Sequence, residues 1–253
     1  MATDDSYYKL HTALRSHDNY TSEVFPATVN ELRSELNLDS VKSCLTFGHG
    51  DGPHEVYFIQ QCVPNISKLI AVEPDHESAE RLRARLEKSL PGVDSQVFET
   101  TIQSWKGLDD PVDLVLMISV LYYVNQNERK ELFKKLHEQW LTTGGRVVVV
   151  SAIRTKCPGS GHEHYARLGS PLLSWEDIEP DILEAGLTKQ HAHEMQITRN
   201  YSNLDESFLR FYEKRTHQPL TLDDIRNTIK ELFPGGKTDQ LFNIFVVFQN
   251  VCL

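Results

Sequence analysis

The chain of 253 residues has room for one large α/β domain or two smaller ones, and its 40% hydrophobic and 25% charged residues suit a globular protein with a full core. A net charge of −10 speaks against a sequence-independent nucleic-acid binder, which needs a basic face. Four cysteines without a CxxC pair (Cys44, Cys62, Cys157, Cys252), an N-terminus MATDDSYYKL with no apolar signal core and no run of 18 apolar residues predict a soluble, cytoplasmic protein with reduced thiols, no zinc site and no membrane partner.

In chain order, residues 5–40 are polar with apolar residues at helical spacing. Val29, Leu32 and Leu36 share one face, which predicts helices. KSCLTFG (42–48) is a short apolar run stopped by glycine, hence a strand, and a helix is expected over 53–63. KLIAVEP (68–74) is a second strand, followed by an amphipathic helix over 75–89 with Leu82 and Leu86 inward. SQVFETT (95–101) is a third strand. VDLVLMIS (112–119) is a fourth, apolar throughout as a strand buried on both faces must be. A helix over 127–141 and a fifth strand, GGRVVVVSAI (144–153), complete the alternation.

After residue 153 the rhythm changes. Residues 154–170 are rich in Gly, Pro and His and predict a loop. Ser174 with Asp177 three residues on marks the start of a helix that ends at Gly186. QHAHEMQI (190–197) is a sixth strand, residues 204–233 two helices split near Gln218-Pro219, and LFNIFVVFQNV (241–251) a final strand. Alternating strands and helices predict an α/β fold: a Rossmann-like, seven-stranded, mostly parallel sheet with helices on both faces, its last strand reversed. We expect a single domain over 1–253. Residues 41–153 form its cofactor-binding core. Residues 1–40 and the helices of 199–238 form a small helical cover over the ligand crevice, within a C-terminal part spanning 154–253.

In such a sheet, ligands bind beyond the C-terminal ends of the strands, and the first strand ends in Gly48, Gly50 and Gly52. The dinucleotide fingerprint GxGxxG fails here, because its sixth position is Pro53. The Gly-Lys-Ser/Thr ending of a phosphate-binding loop is absent too. Glu73 ends the second strand 21 residues after Gly52, where an acid accepts both ribose hydroxyls of an adenosine. Thr101 ends the third strand, in place to meet an adenine.

With LTFGHGDGPHE (45–55), AVEPDHES (71–78), FETT (98–101), LMISVLYYV (116–124) and LFN (241–243), the sequence resembles the class I S-adenosylmethionine-dependent methyltransferases, and more narrowly the histamine N-methyltransferase family. The resemblance implies S-adenosyl-L-methionine as cofactor. It sets Gly48, Gly50 and Gly52 by the methionine part, Glu73 on the ribose, Ser78 on the ribose or adenine side, and Thr101 and Ile118 by the adenine. On the acceptor side it points to Tyr20, Ser119 and Asn243, and position just after the fourth strand adds Tyr122 and Tyr123. Where the histamine enzyme has a glutamine this chain has Ser119, and where it has an N-terminal glutamate it has Asn19 or Tyr20.

The tyrosines after the fourth strand suit an amine pocket, since aromatic faces attract cations. Tyr7, Tyr8 and Tyr20 are candidates to close the site from above. The pairs His162/His164 and His191/His193 read as solvated histidines rather than a metal site, for want of matching acids or thiols. The function implied is N-methylation of a small amine or imidazole-containing molecule by a monomer. The alternatives are methylation of another small acceptor and a non-catalytic regulatory protein that keeps the cofactor fold. An NAD-dependent oxidoreductase is disfavoured by Pro53.

Overall fold

The inner strands of the sheet are hydrophobic on both faces because both faces are covered, whereas its two edge strands are polar and largely exposed. The computed structural model describes residues 6–48, 50–154, 167, 173–216, 219–234, 236 and 238–251. His49, Cys157, Cys252, Gln218 and the His162/His164 pair lie outside them. Its strands are β1 (Ser43–Phe47), β2 (Lys68–Val72), β3 (Asp94–Phe98), β4 (Val112–Ile118), β5 (Leu141–Ala152), β6 (Thr188–Asn200) and β7 (Thr238–Gln249). They form one seven-stranded sheet in the order β3-β2-β1-β4-β5-β7-β6. Neighbours from β3 through β5 pair in parallel, while β7 runs antiparallel to both β5 and β6. The sheet is thus the Rossmann-like one predicted, with one reversed strand.

The two-residue period of a strand sends alternate side chains to opposite layers. Cys44, Leu114, Leu116, Val148, Val150 and Phe245 join one core. Leu45, Val115, Met117, Val147, Val149 and Val246 join the other. Against the first pack α2 (Phe25–Leu36), α3 (Pro53–Cys62) and α4 (His76–Ser89), through Val29, Leu32, Leu36, Phe58, Ile59, Leu82 and Leu86. Against the second pack α5 (Gln126–Lys135) and α6 (Trp175–Glu184), through Leu132, Phe133, Ile178 and Ile182. A third cluster joins α1 (Tyr7–Ser16) to α7 (Glu206–Arg215) and α8 (Leu222–Leu232), built on Leu10, Leu14, Phe208, Phe211, Ile225 and Ile229.

Reciprocal capping boxes start α5 (Asn125 with Glu128), α6 (Ser174 with Asp177) and α8 (Thr221 with Asp224). Two expected boundaries move. The helix expected over 127–141 is α5 followed by a π turn over Leu136–Trp140. β5 then begins at Leu141 instead of residue 144, because its pairing with β4 slips between Val112 and Leu114, and Gly144 takes φ +82° in the irregular stretch. β3 ends at Phe98, so Thr101 falls in the loop after it.

Candidate active site

The connection from β1 crosses to β2 on one side, while β4 lies on the other, so a crevice opens above the carboxyl end of β1. The glycine turn fills its floor. Gly48 donates to the Val72 carbonyl at 2.9 Å and takes φ +62°. A Cβ there would stand 2.2 Å from Val120 Cγ2. At Gly50, φ +58°, a Cβ would meet no atom within 4 Å, because that position faces open space. Gly52 differs: it is the N-cap of α3, and a Cβ would press on Leu82 Cδ1 at 2.5 Å.

That open space belongs to a cavity of about 490 Å³. Of the residues expected to hold the cofactor, Gly48, Gly50, Glu73, Thr101 and Ile118 line it; Gly52 and Ser78 are not among the lining residues. Ser78 is fully buried in the first turn of α4, where its N–H donates to the capping carboxylate of Asp75 at 2.9 Å. Of the residues expected on the acceptor side, Tyr20, Ser119, Tyr122, Tyr123 and Asn243 all line the same cavity. Tyr7 lines it as well, but Tyr8 lies under the Arg81 guanidinium at 4.0 Å and is not among the lining residues.

Glu73 is 3% exposed, with one carboxylate oxygen accepting from the Gly50 N–H at 2.9 Å and the other from the Asp75 N–H at 3.0 Å. Burial raises its pKa, against the pull of those two donors. Each oxygen keeps a lone pair for a further donor, so the group can accept a pair of hydroxyls.

At the other end, Ser119 follows β4 with φ +55°, a left-handed backbone for a residue other than glycine, and its N–H donates to the Val150 carbonyl at 2.9 Å. Such strain clusters at functional sites. The Tyr7 and Tyr123 hydroxyls meet at 2.7 Å. The Arg215 guanidinium lies 4.9 Å from the Tyr122 ring centre, 5.3 Å from that of Tyr123 and 5.5 Å from that of Phe211. The cation over these rings is therefore the protein's own. His11 and His54 also line the cavity, and burial drives both pKa values down to about 3, so they are neutral at physiological pH.

Several lining residues gave no sequence signal: Arg15, Asp18, Glu55, Ser151, Arg199 and Arg215. Arg199 pairs with Asp18 at 2.6 Å and so ties β6 to the segment between α1 and α2. Asp51 accepts from Arg15 of α1 at 2.8 Å and from Arg85 of α4 at 2.7 Å. Glu55 Oε2, Tyr20 Oη and Ser151 Oγ are buried with no hydrogen-bond partner among the described residues. No group of three or more His, Cys, Asp or Glu among the described residues is arranged to hold a metal; His191 and His193 instead stand near Glu35 and Glu31. Among the described residues, no helix is long and apolar enough to cross a membrane.

Residues 44–145 match the model of a methyltransferase-domain family. None of the curated protein sequences matches the chain. Among solved structures, a candidate methyltransferase from Bacillus halodurans C-125 is similar with a TM-score of 0.65 at 12% identity, over 90% of this chain and 99% of that one. The N-methyltransferase NodS of Bradyrhizobium japonicum WM9, in complex with S-adenosyl-L-homocysteine, is similar with a TM-score of 0.57 at 17% identity, over 98% and 99% of the two chains. Geranyl diphosphate C-methyltransferase of Streptomyces coelicolor A3(2) is similar with a TM-score of 0.55 at 13% identity, over 89% and 76%.

Residues 44–145 thus carry a methyltransferase domain, and the seven-stranded sheet has the Rossmann-like fold of these similar structures. The protein shares this fold with methyltransferases whose structures hold S-adenosylmethionine or S-adenosyl-L-homocysteine. Its cavity fits that cofactor: open space at Gly50, a buried carboxylate next to it, and buried polar atoms still without partners.

Proposed function

We propose that the protein N-methylates a small amine or imidazole-bearing molecule. One observation carries the reading. A single cavity of about 490 Å³ is lined both by Gly48, Gly50, Glu73, Thr101 and Ile118 and by Tyr20, Ser119, Tyr122, Tyr123 and Asn243. A volume in the range of small-molecule sites, shared by cofactor and acceptor, leaves room for a small acceptor only.

In this reading the cofactor supplies a methyl group activated by positive sulfur. Glu73 accepts the ribose hydroxyls, Thr101 and Ile118 flank the adenine, and the Gly48–Gly50 backbone allows close approach of the methionine part. The chain's work is alignment, which catalyses a displacement by proximity and orientation. Tyr20, Ser119 and Asn243 orient the acceptor nitrogen, and Tyr122 and Tyr123 wall its pocket. Residues 1–40 and 199–238 cover the core 41–153 within one domain, and the enzyme works as a cytoplasmic monomer whose Cys44 and Cys62 are buried free thiols.

A methylation screen over biogenic amines and imidazole dipeptides, read by mass, tests the proposal. A one-methyl gain on nitrogen is expected. Methylation only of carbon or oxygen acceptors in a wider panel overturns it.

A further inference from the structure

Glu55 is an acid whose surroundings are incomplete. It stands in the first turn of α3, directly after the glycine turn, 3% exposed and on the cavity wall, and its Oε2 has no hydrogen-bond partner among the described residues. A buried oxygen without a partner has lost its water and gained nothing in return, so it marks a place where a donor belongs. Two neighbours narrow the donor. Arg15, also on the wall, spends one guanidinium nitrogen on Asp51 and has further donors in its fork. Glu73, the carboxylate tied to Gly50, is close enough to act electrostatically on Glu55. The glycine-turn end of the cavity thus holds one buried acid and one arginine beside the carboxylate suited to a ribose. A nucleoside whose tail ends in an α-amino acid presents the complement: an α-ammonium for the acid and an α-carboxylate for the arginine.

We propose that Glu55 is the partner of the cofactor's α-ammonium, with Arg15 on the α-carboxylate, and that Glu55 gives up its proton when the cofactor enters. The inference rests on the cofactor, not on the identity of the acceptor. Burial pushes the Glu55 carboxyl up to about 8; its own backbone N–H and Arg15 pull it down, and Glu73 and Asp51 push it up. With no donor on Oε2 the group is mostly neutral at pH 7. On binding, the ammonium keeps its proton and donates it in a hydrogen bond, and the Glu55 proton leaves to solvent. The groups facing Glu55 are Arg15 on α1, Tyr20 before α2, Cys44 on β1, Asp51 in the turn and Glu73 after β2. Arg15 and Arg85 hold Asp51 below its ordinary value and so anionic near neutrality, while burial holds Tyr20 and Cys44 well above their ordinary values and therefore neutral. Glu73 is common to every adenosine ligand and cancels in a comparison of two of them.

The experiment is titration calorimetry of the full chain with S-adenosylhomocysteine, which carries the amino-acid head, and 5′-methylthioadenosine, which lacks it. In buffers of different ionisation heat at pH 7, the first ligand is expected to release close to one proton and the second none. Between pH 6 and 8 the preference for S-adenosylhomocysteine rises up to about tenfold per unit, as one linked proton requires. Glu55→Gln abolishes the release and lowers that preference at least tenfold, while 5′-methylthioadenosine binds as before. A flat preference and no proton release in the wild-type protein overturn the proposal without any variant. So does proton release that persists in Glu55→Gln. Absence of binding by both ligands would instead strike at the cofactor assignment.

Discussion

Arg15 and Asp51 meet at 2.8 Å, and through that contact α1, which lines the cavity, is fastened to the glycine turn on the cavity floor. Arg85 of α4 holds the same carboxylate from the other side at 2.7 Å. An acid between two glycines of a tight turn is odd by local rules, and these two arginines explain it. Burial raises the Asp51 pKa, but Arg15 and Arg85 outweigh it and hold the group below its ordinary value. A depressed folded pKa stabilises the protein above the unfolded value and loses that contribution as pH falls through the folded one.

Asp51→Asn is therefore expected to cost about 2 kcal/mol at pH 7, and to flatten the loss of stability that the wild type shows below pH of about 4. Urea melts at several pH values check both. Equal acid sensitivity in the two proteins would show that the clamp carries no linked proton.

Glu73→Ala is expected to weaken S-adenosylhomocysteine binding by about 2 kcal/mol or more, the scale of charged hydrogen bonds. Calorimetry reads it directly. Because Glu73 also ties the Gly50 and Asp75 backbones, Glu73→Gln, which keeps one acceptor, belongs beside it. Unchanged affinity would show that the ribose is held elsewhere.

Gly48 and Gly50 separate sterics from ligand contact. Gly48→Ala drives a Cβ into Val120 and is expected to lower Tm strongly, with partial rescue by Val120→Ala. Gly50→Ala meets no protein atom, so it costs only the left-handed backbone, about 1–2 kcal/mol. Its larger effect is expected on cofactor affinity. Thermal shift with and without S-adenosylhomocysteine distinguishes the two.

Arg215 occupies the rings that would attract a cationic amine. Arg215→Ala exposes Tyr122 and Tyr123 and is expected to lower KM for cationic acceptors several-fold, the cation–π scale being about 0.5–2 kcal/mol. Steady-state assays over an amine panel check it. A uniform rise in KM would make Arg215 a contact of the acceptor.

Away from the site, Arg129 and Asp181 form a buried pair at 2.9 Å, with side chains 3% and 2% exposed. Arg129 also donates to the carbonyls of Val124 and Asp177, joining α5 to α6. Arg129→Ala strands a buried carboxylate and is expected to destabilise by about 3–5 kcal/mol. Equilibrium denaturation measures it, and a loss under about 1 kcal/mol would place the pair in effective contact with water.

By itself, the sequence determined the elements and the side of the sheet where the site lies. Strands with two buried faces are continuous apolar runs, and the glycines with Glu73 mark a backbone turn and an acid at strand ends, both local properties of the chain. Gly48, Gly50 and Glu73 are legible for that reason, Thr101 by its place after the third strand and Ile118 through the family resemblance alone; all five line one cavity. Only the tertiary structure decided what a charge or a ring meets. Arg15, Glu55 and Arg215 look like ordinary residues of amphipathic helices, because their partners are 36 residues away for Arg15–Asp51, and roles at such separations arise only when α1 and α7 fold over the crevice. Tyr122 and Tyr123 were visible as cation-binding rings, but that Arg215 lies over them follows from the docking of α7, which no local pattern encodes. Ser78 shows the converse: a polar residue in the right stretch is turned inward once Asp75 caps α4.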